Sequence, residues 1–261
     1  MASTPPTIFS DQRRFARRAR MLSLRQRPDA ARFVFDDMAD DMIERLAFVR
    51  HEPAKALVIG DLDRQLVSHL GAHGCDVVEA DIIPRPDCVR LDLAAPYPSG
   101  GFDLIAVFGL LDCVNDLPGA LIHIRQALSP GGLAIASFMG AGSLPRLRTA
   151  MLEAEAERPA ARTHPLVDSR AAAGLLQRAG WKDPVVDSHD LTVRYASLTR
   201  LVADLREMGL GNVLASPAPA LSPEAAARAH AAFLAAADAD GKVSETLSIL
   251  TLSGRRSLAG T

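Results

Sequence analysis

Short apolar runs alternate with segments of helical periodicity between residues 54 and 140, and this alternation constrains the fold more than any other feature of the chain. The apolar runs predict strands at 55–59, 76–80, 88–91, 102–108 and 133–138. The segments at 62–73 and 117–128 predict helices between them. Mostly apolar strands joined by helices are typical of a parallel sheet with both faces covered. We therefore predict an α/β fold with helices on both faces of a mostly parallel sheet.

The pattern changes beyond residue 140, but it does not indicate a second independent fold. Helices are predicted at 144–157, 168–179, 198–208 and 224–237, and short strands at 184–186, 191–195 and 243–252. A further amphipathic helix is predicted at 33–50, ahead of the first strand. We predict a basic N-terminal arm at 1–30 and a single domain at 31–261.

The arm is rich in arginine and poor in acids, with Asp11 the only acid before Asp29. Its arginines stand at 13, 14, 17, 18, 20, 25 and 27. Mitochondrial transit peptides share this composition, which would place the protein in the mitochondrial matrix. The other interpretation is a partly helical arm that packs across the entrance of the domain in a cytoplasmic bacterial protein. We favour the arm.

Composition excludes several classes of function. The net charge is −2, so no global electrostatic attraction to nucleic acid is predicted. No apolar run reaches the roughly 18 residues of a spanning helix. The three cysteines, at 75, 88 and 113, are far apart and odd in number, which indicates reduced thiols. His69 and His73 lie four residues apart without a nearby third ligand, so no metal site is predicted.

The segment Phe102–Phe108, with Asn-Asp-Leu-Pro at 115–118 and Leu-Ser-Pro-Gly-Gly at 128–132, resembles the class I S-adenosylmethionine (SAM) dependent methyltransferases. Further short strings narrow the resemblance to one group within this superfamily. They lie at 8–9, 147–148, 164–165, 168, 174–176, 178–180 and 204–209. They are similar to the methyltransferase-like complex I assembly factors, which include a mitochondrial arginine hydroxylase and α-proteobacterial relatives. The methyltransferase that caps malonyl-carrier protein is a more distant cousin.

The resemblance implies a Rossmann-like fold of seven strands, with 54–140 as the nucleotide-binding half and 141–261 covering the substrate. SAM would bind at the carboxyl ends of the strands. Asp81 would hold the ribose hydroxyls. The other cofactor-binding residues that the resemblance implies are Gly60, Asp61, Asp92, Leu93, Phe108 and Gly109.

The loop after the first strand departs from the family pattern. Laid on that pattern, Val58 stands at the acidic position, and Leu62 and Arg64 replace two of three glycines. Glycines there let the backbone approach the ligand without a Cβ in the way. Asp61 or Asp63 could partly replace the lost carboxylate.

No catalytic residue is assigned. Asp112 stands where relatives often carry a histidine, while His164, Arg206 and Arg194-Tyr195 are either substrate-side residues or structural pairs. The first hypothesis is a SAM-dependent methyltransferase-like protein that modifies a protein substrate or assists assembly of respiratory complex I. The alternative is a non-catalytic assembly or binding protein that has lost SAM binding. A third hypothesis is a pocket for another nucleotide or metabolite.

Overall fold

Seven strands form one mixed sheet in a computed structural model, which describes residues 7–157 and 159–258. The strands are β1 Lys55–Ile59, β2 Asp76–Asp81, β3 Val89–Arg90, β4 Phe102–Phe108, β5 Leu128–Met139, β6 Lys182–Tyr195 and β7 Val243–Arg255. Their order is β3-β2-β1-β4-β5-β7-β6. The first five strands run parallel, and β7 is antiparallel to both β5 and β6. The predicted seven-stranded, mostly parallel α/β fold is confirmed.

Helices cover both faces of the sheet. They are α1 Asp11–Leu24, α2 Phe33–Phe48, α3 Gln65–Ala72, α4 Leu117–Ala127, α5 Pro145–Ala154, α6 Ser169–Arg178, α7 Leu198–Glu207 and α8 Pro223–Leu234. Adjacent residues of β1 show the two layers: Leu57 belongs to the core cluster with α4 and α6, and Val58 to the cluster with α2 and α3. This is the two-residue period of a strand buried on both sides. Among the described residues, no helix has the length and apolarity that crossing a membrane requires.

Two strand predictions were wrong in extent. The segments 184–186 and 191–195 belong to one strand, β6, because the polar residues between them also pair with β7, as Ser188 does with Leu250. β5 begins at Leu128 and not at 133, so the predicted Pro-Gly-Gly turn lies inside the strand. Gly131 has φ +81°, and the register with β4 shifts at this end of the strand pair. A glycine can adopt this conformation without the strain that a side chain would cause.

The segment before α1 is anchored to the domain by the Asn115 side chain and by backbone hydrogen bonds to residues 213–215. The amide oxygen of Asn115 accepts hydrogen bonds from the N–H groups of Ile8 and Phe9, both at 2.9 Å, and its nitrogen donates to the Phe9 carbonyl at 2.9 Å. Phe9 also bridges Leu214 in antiparallel fashion. Ser10 then caps α1 by accepting from the N–H of Arg13 at 3.3 Å. These contacts direct α1 along the carboxyl edge of the sheet.

Candidate functional site

Three neighbouring strands bring the predicted site residues to one edge of the sheet. Gly60 follows β1, Asp81 ends β2, and Phe108 ends β4 with Gly109 directly after it. Because these strands are parallel neighbours, their carboxyl ends lie side by side. The N–H of Gly60 donates to the Ala80 carbonyl at 2.9 Å, which ties the first loop to the end of β2. This edge is where open α/β sheets bind their ligands.

Gly60 occupies a position where any other residue would be strained. Its φ is +87°, and a Cβ placed on it would lie 2.8 Å from the carbonyl oxygen of Phe108. The same Cβ would lie 3.1 Å from a nitrogen of Arg18. The single glycine retained in the loop therefore serves the close packing of β1 against β4, and of the arm against both.

An arginine of the arm binds the carboxylate at the end of β2. The Arg18 Nη2 lies 2.8 Å from Asp81 Oδ2, and its Nε lies 3.2 and 3.3 Å from the two carboxylate oxygens. The same Nη2 donates to the Gly60 carbonyl at 2.9 Å. The two side chains are 4% and 0% exposed, and Arg85 approaches Asp81 at 3.4 Å. The oxygens that the resemblance assigns to ribose hydroxyls are thus held by guanidinium groups of the chain itself.

One face of α1 is buried although it is mostly basic. The buried residues are Arg14, Arg18, Met21 and, at the C-cap, Arg25. They follow one another at intervals of four, three and four residues and therefore lie on the same side of the helix. Met21 is 1% exposed, and a Cβ on Gly209 would lie 2.6 Å from its sulfur. The Arg25 guanidinium lies 5.2 Å from the ring centroid of Phe35, a cation–π distance. The basic composition of the arm therefore reflects buried pairing as well as solvent exposure.

Both acids of the first loop are already bound within the protein. Asp61 accepts a hydrogen bond from the N–H of Val67 at 3.0 Å, and its burial raises the pKa of this carboxyl above the ordinary value. Asp63 accepts from Arg32 at 3.1 Å and pairs with Arg25. Neither carboxylate is therefore placed to substitute for the acid missing from the end of β1.

These residues do not fit SAM. Val58 is a core residue, 1% exposed, where the family pattern has a carboxylate. Leu62 packs against the same core, and Arg64 adopts φ +57° and binds Glu79 at 2.6 Å where a glycine would leave room. Asp81, to which the resemblance assigns the ribose hydroxyls, is fully buried beneath the arm. Side chains therefore occupy the backbone cradle, the first carboxylate is absent, and the second is bound by Arg18.

The remaining predicted site residues are packed in different ways. Asp92 is exposed and accepts from the N–H of Ala94 at 2.9 Å, as an acid does in a turn, while Leu93 is 1% exposed in the core. Phe108 is 1% exposed. Gly109 faces the ring of Phe35, from which a Cβ would lie 2.9 Å away. Ligand binding by these four residues stays a prediction.

A second group of polar side chains lies beside the first, after β4. Asp112 is 3.4 Å from His164 Nε2 and 3.8 Å from Arg17 Nη1, and its side chain is 2% exposed. Arg17 also donates to the Cys113 sulfur at 3.0 Å. Asp112 and His164 line a cavity of about 70 Å³, which is large enough to hold ordered water. Burial favours the neutral acid, but Arg17 and His164 hold the pKa of Asp112 below its ordinary value.

Sequence reasoning found some members of this group and missed their partner. Asp112 was singled out because relatives often carry a histidine there, and the structure brings His164 beside it from the C-terminal half. The pairing of Arg17 with Asp112 was missed, as was that of Arg18 with Asp81. The feature of the sequence that could have indicated these pairs is the helical spacing of the arginines in the arm.

Other candidates lie apart from this edge. Arg194 pairs with Asp238 at 3.5 Å and with Asp240, which supports its structural interpretation. The imidazole of His73 bonds to the His69 carbonyl at 2.8 Å on α3. Within residues 7–157 and 159–258 no three histidine, cysteine or acidic side chains are grouped as a metal ion would require.

The variant Asp112→Asn is expected to cost about 2 kcal/mol of stability near pH 6, and this cost is expected to shrink as the pH falls below about 4. In the folded state Arg17 and His164 lower the pKa of Asp112, whereas in the unfolded chain it is about 4. The carboxylate therefore stabilises the fold above about pH 4, and this contribution is lost as the pH falls through the folded pKa. Urea unfolding of both proteins from pH 6 to pH 3 measures the difference. A difference that does not shrink on acidification would contradict the assignment.

Comparisons with a family model and with known proteins both relate this chain to methyltransferases. A family model described as a methyltransferase domain matches residues 30–185. A malonyl-[acyl-carrier protein] O-methyltransferase of Halorhodospira halophila is 31% identical, with 94% of this chain and 88% of that protein covered. The mitochondrial arginine-hydroxylase NDUFAF5 of Rattus norvegicus is 33% identical over 52% of this chain and 40% of its own length. The chain thus matches less than half of the rat protein.

Two solved structures share the fold. A protein of Bacillus halodurans C-125, whose assignment as a methyltransferase is provisional, aligns with a TM-score of 0.55 and 11% identity. YcgJ of Bacillus subtilis aligns with a TM-score of 0.52 and 12% identity. Each alignment covers 85% of this chain and 99% of the other. At these identities the likeness concerns the fold alone.

Proposed function

Because this chain belongs to the family of methyltransferase domains, its function is to be sought at the carboxyl edge of the sheet, and we propose that this edge no longer serves SAM. The chain then acts as a non-catalytic binding or assembly protein on a methyltransferase scaffold. The observation that carries the proposal is the buried pair of Arg18 and Asp81, joined at 2.8 Å. A ribose could reach Asp81 only after this pair was broken.

The neighbouring contacts support the same conclusion. Breaking the pair would leave a carboxylate with 0% exposure beside Arg85 and the N–H of Ile83, without the guanidinium that binds it most closely. Removing one partner of a buried ion pair costs about 3–5 kcal/mol. SAM would have to provide this energy from a loop that lacks the acid and two glycines of the family pattern.

The proposed partner is a protein. The resemblance to complex I assembly factors, together with the match to NDUFAF5, supports a subunit of a respiratory complex. Removal of the gene from its own host should then lower the amount of assembled complex I, and expression of the wild-type chain should restore it. Full assembly in the deletion strain would contradict this choice of partner.

A second candidate is a SAM-dependent methyltransferase that acts on a carrier protein. It is favoured by one observation, the 31% identity to a malonyl-[acyl-carrier protein] O-methyltransferase over 94% of this chain. In that case α1 would be a displaceable cover and not a permanent part of the site. The two candidates differ in whether SAM binds.

Millimolar SAM or S-adenosylhomocysteine is expected to leave the melting temperature of the wild-type protein unchanged. A ligand at about 100 times its Kd would stabilise the fold by about 2.7 kcal/mol. For a chain of this size that corresponds to a rise of roughly 5–10 °C. Differential scanning fluorimetry followed by calorimetric titration makes the measurement. A saturable rise in the wild-type protein would overturn the proposed function.

The variant Arg18→Ala separates the two candidates, with Gln12→Ala as its control on the exposed face of α1. The proposal expects that neither variant binds SAM, because the loop itself lacks the cradle. Binding by Arg18→Ala, with none by the control, would show that the arm is the sole obstacle. That result would support the methyltransferase candidate.

A further inference from the structure

We propose that a pocket between α1 and α7 binds a phosphate monoester. The pocket has a volume of about 340 Å³ and is lined by Arg13, Arg17, Arg20, Arg206, Gly211 and Asn212. We call it the arginine pocket. It lies on the face of α1 that does not hold Asp81, so the inference is independent of the function proposed above.

The guanidinium groups converge on the pocket because of helical spacing. Arg13, Arg17 and Arg20 follow one another at four and three residues on α1 and therefore share one face. Arg206 comes from the last turn of α7, which packs against α1. Like charges at these spacings repel one another unless an anion lies between them.

The described part of the protein provides a carboxylate for only one of these four guanidinium groups. Arg17 is held at the base by the Gly211 carbonyl at 2.9 Å and by Asp112 at 3.8 Å. Among the described residues, no carboxylate lies within 4.0 Å of the guanidinium groups of the other three arginines, and none lines the pocket. This contrasts with the neighbouring arginines of the same helix, Arg14 and Arg18, which both pair with acids.

The number and kind of donors match a phosphate monoester. Such a group carries a charge of about −1.5 to −2 at neutral pH and three strong acceptor oxygens. Guanidinium groups bind these oxygens in paired geometry, which a compact ammonium cannot do. A Cβ placed on Gly211 would meet nothing within 4 Å, so this wall leaves open space for the rest of the ligand.

A phosphate in the pocket would also connect two elements. It would join Arg13 and Arg20 of α1 to Arg206 of α7, and so fasten the helix that carries Arg18. Binding is therefore expected to raise the melting temperature.

Calorimetric titration at constant ionic strength tests the proposal with two probes, glycerol 3-phosphate and a neutral peptide that contains one phosphoserine. Glycerol and the unphosphorylated peptide are their blanks. Saturable binding of a phosphorylated probe, without binding of its blank, is expected. The tighter probe identifies the source of the phosphate as a small metabolite or a modified protein.

Matched variants locate the site. Arg20→Gln and Arg206→Gln are each expected to weaken binding about tenfold or more, since a hydrogen bond to a charged group is lost. Arg178→Gln, an exposed arginine on α6, is the control and should bind like the wild type. Unchanged melting temperatures without ligand would show that the variants fold. Absence of saturable binding, equal stabilisation by chloride at the same ionic strength, or unaffected binding in both variants would overturn the proposal.

Discussion

Replacing Asp81 by asparagine is expected to lower the free energy of unfolding by about 3–5 kcal/mol. The carboxylate is completely buried and is bound by Arg18 at 2.8 Å and approached by Arg85 at 3.4 Å. An amide in its place leaves the buried Arg18 guanidinium without a counter-charge. Urea unfolding measures the loss, and the melting temperature should fall by roughly 6–20 °C.

The control for this experiment is Asp92→Asn, an exposed turn acid that is expected to cost no more than about 1 kcal/mol. Combining Asp81→Asn with Arg18→Met should recover part of the loss, because the unpaired charge is removed together with its partner. A loss below about 1 kcal/mol for Asp81→Asn alone would mean that the pair is not formed as described. It would also remove the main support for a site closed to SAM.

The second large effect is expected at Glu245, a fully buried acid on β7. Its carboxylate accepts hydrogen bonds from three backbone N–H groups, those of Arg146 at 3.2 Å, Leu147 at 2.8 Å and Thr246 at 3.0 Å. Two of these belong to the first turn of α5, where Leu144 has φ +60° and provides no side-chain cap. The acid therefore caps a helix from another element of the fold.

The variant Glu245→Ala is expected to cost about 3 kcal/mol, since buried N–H groups lose their acceptor. Glu245→Gln keeps one acceptor oxygen and should lose less. Ser222→Ala is the matched control: Ser222 caps α8 by accepting from the N–H of Ala225 at 3.2 Å, and its loss should cost about 1 kcal/mol. Equal costs for the alanine variants at 245 and 222 in urea unfolding would contradict the role of Glu245.

The fold could be predicted because its signals are local. Leu104 and Ile105 are both fully buried on opposite faces of β4, and an apolar run of this kind has few alternatives to a central strand. The extent of β6 could not be read in this way. Ser188, His189 and Asp190 are polar, and what makes them a strand is backbone pairing with β7, which is distant in the sequence.

The position of the candidate site in the fold could be predicted from the sequence, but the side-chain pairs that fill it could not. Strand order brings Gly60 and Asp81 to one edge, and a sequence can suggest that order. It could not single out Arg18, because the arm offers seven arginines and helical spacing selects a face without naming its partner. Sequence alone does not distinguish a solvated guanidinium from one that is buried against a carboxylate.

The arm is attached to the domain at both ends, and it therefore belongs to the cooperatively folded part of the protein. Before α1, Asn115 holds Ile8 and Phe9; after it, the N–H of Ala31 donates to Glu207 at 2.8 Å. A helix tied at both ends cannot swing about one hinge, so exposing the sheet edge requires local unfolding of the whole arm. Its amide hydrogens should then exchange together, at a common rate that is set by this local unfolding. A fragment that starts after residue 30 would therefore be a destabilised protein, and not the same fold with an accessible sheet edge.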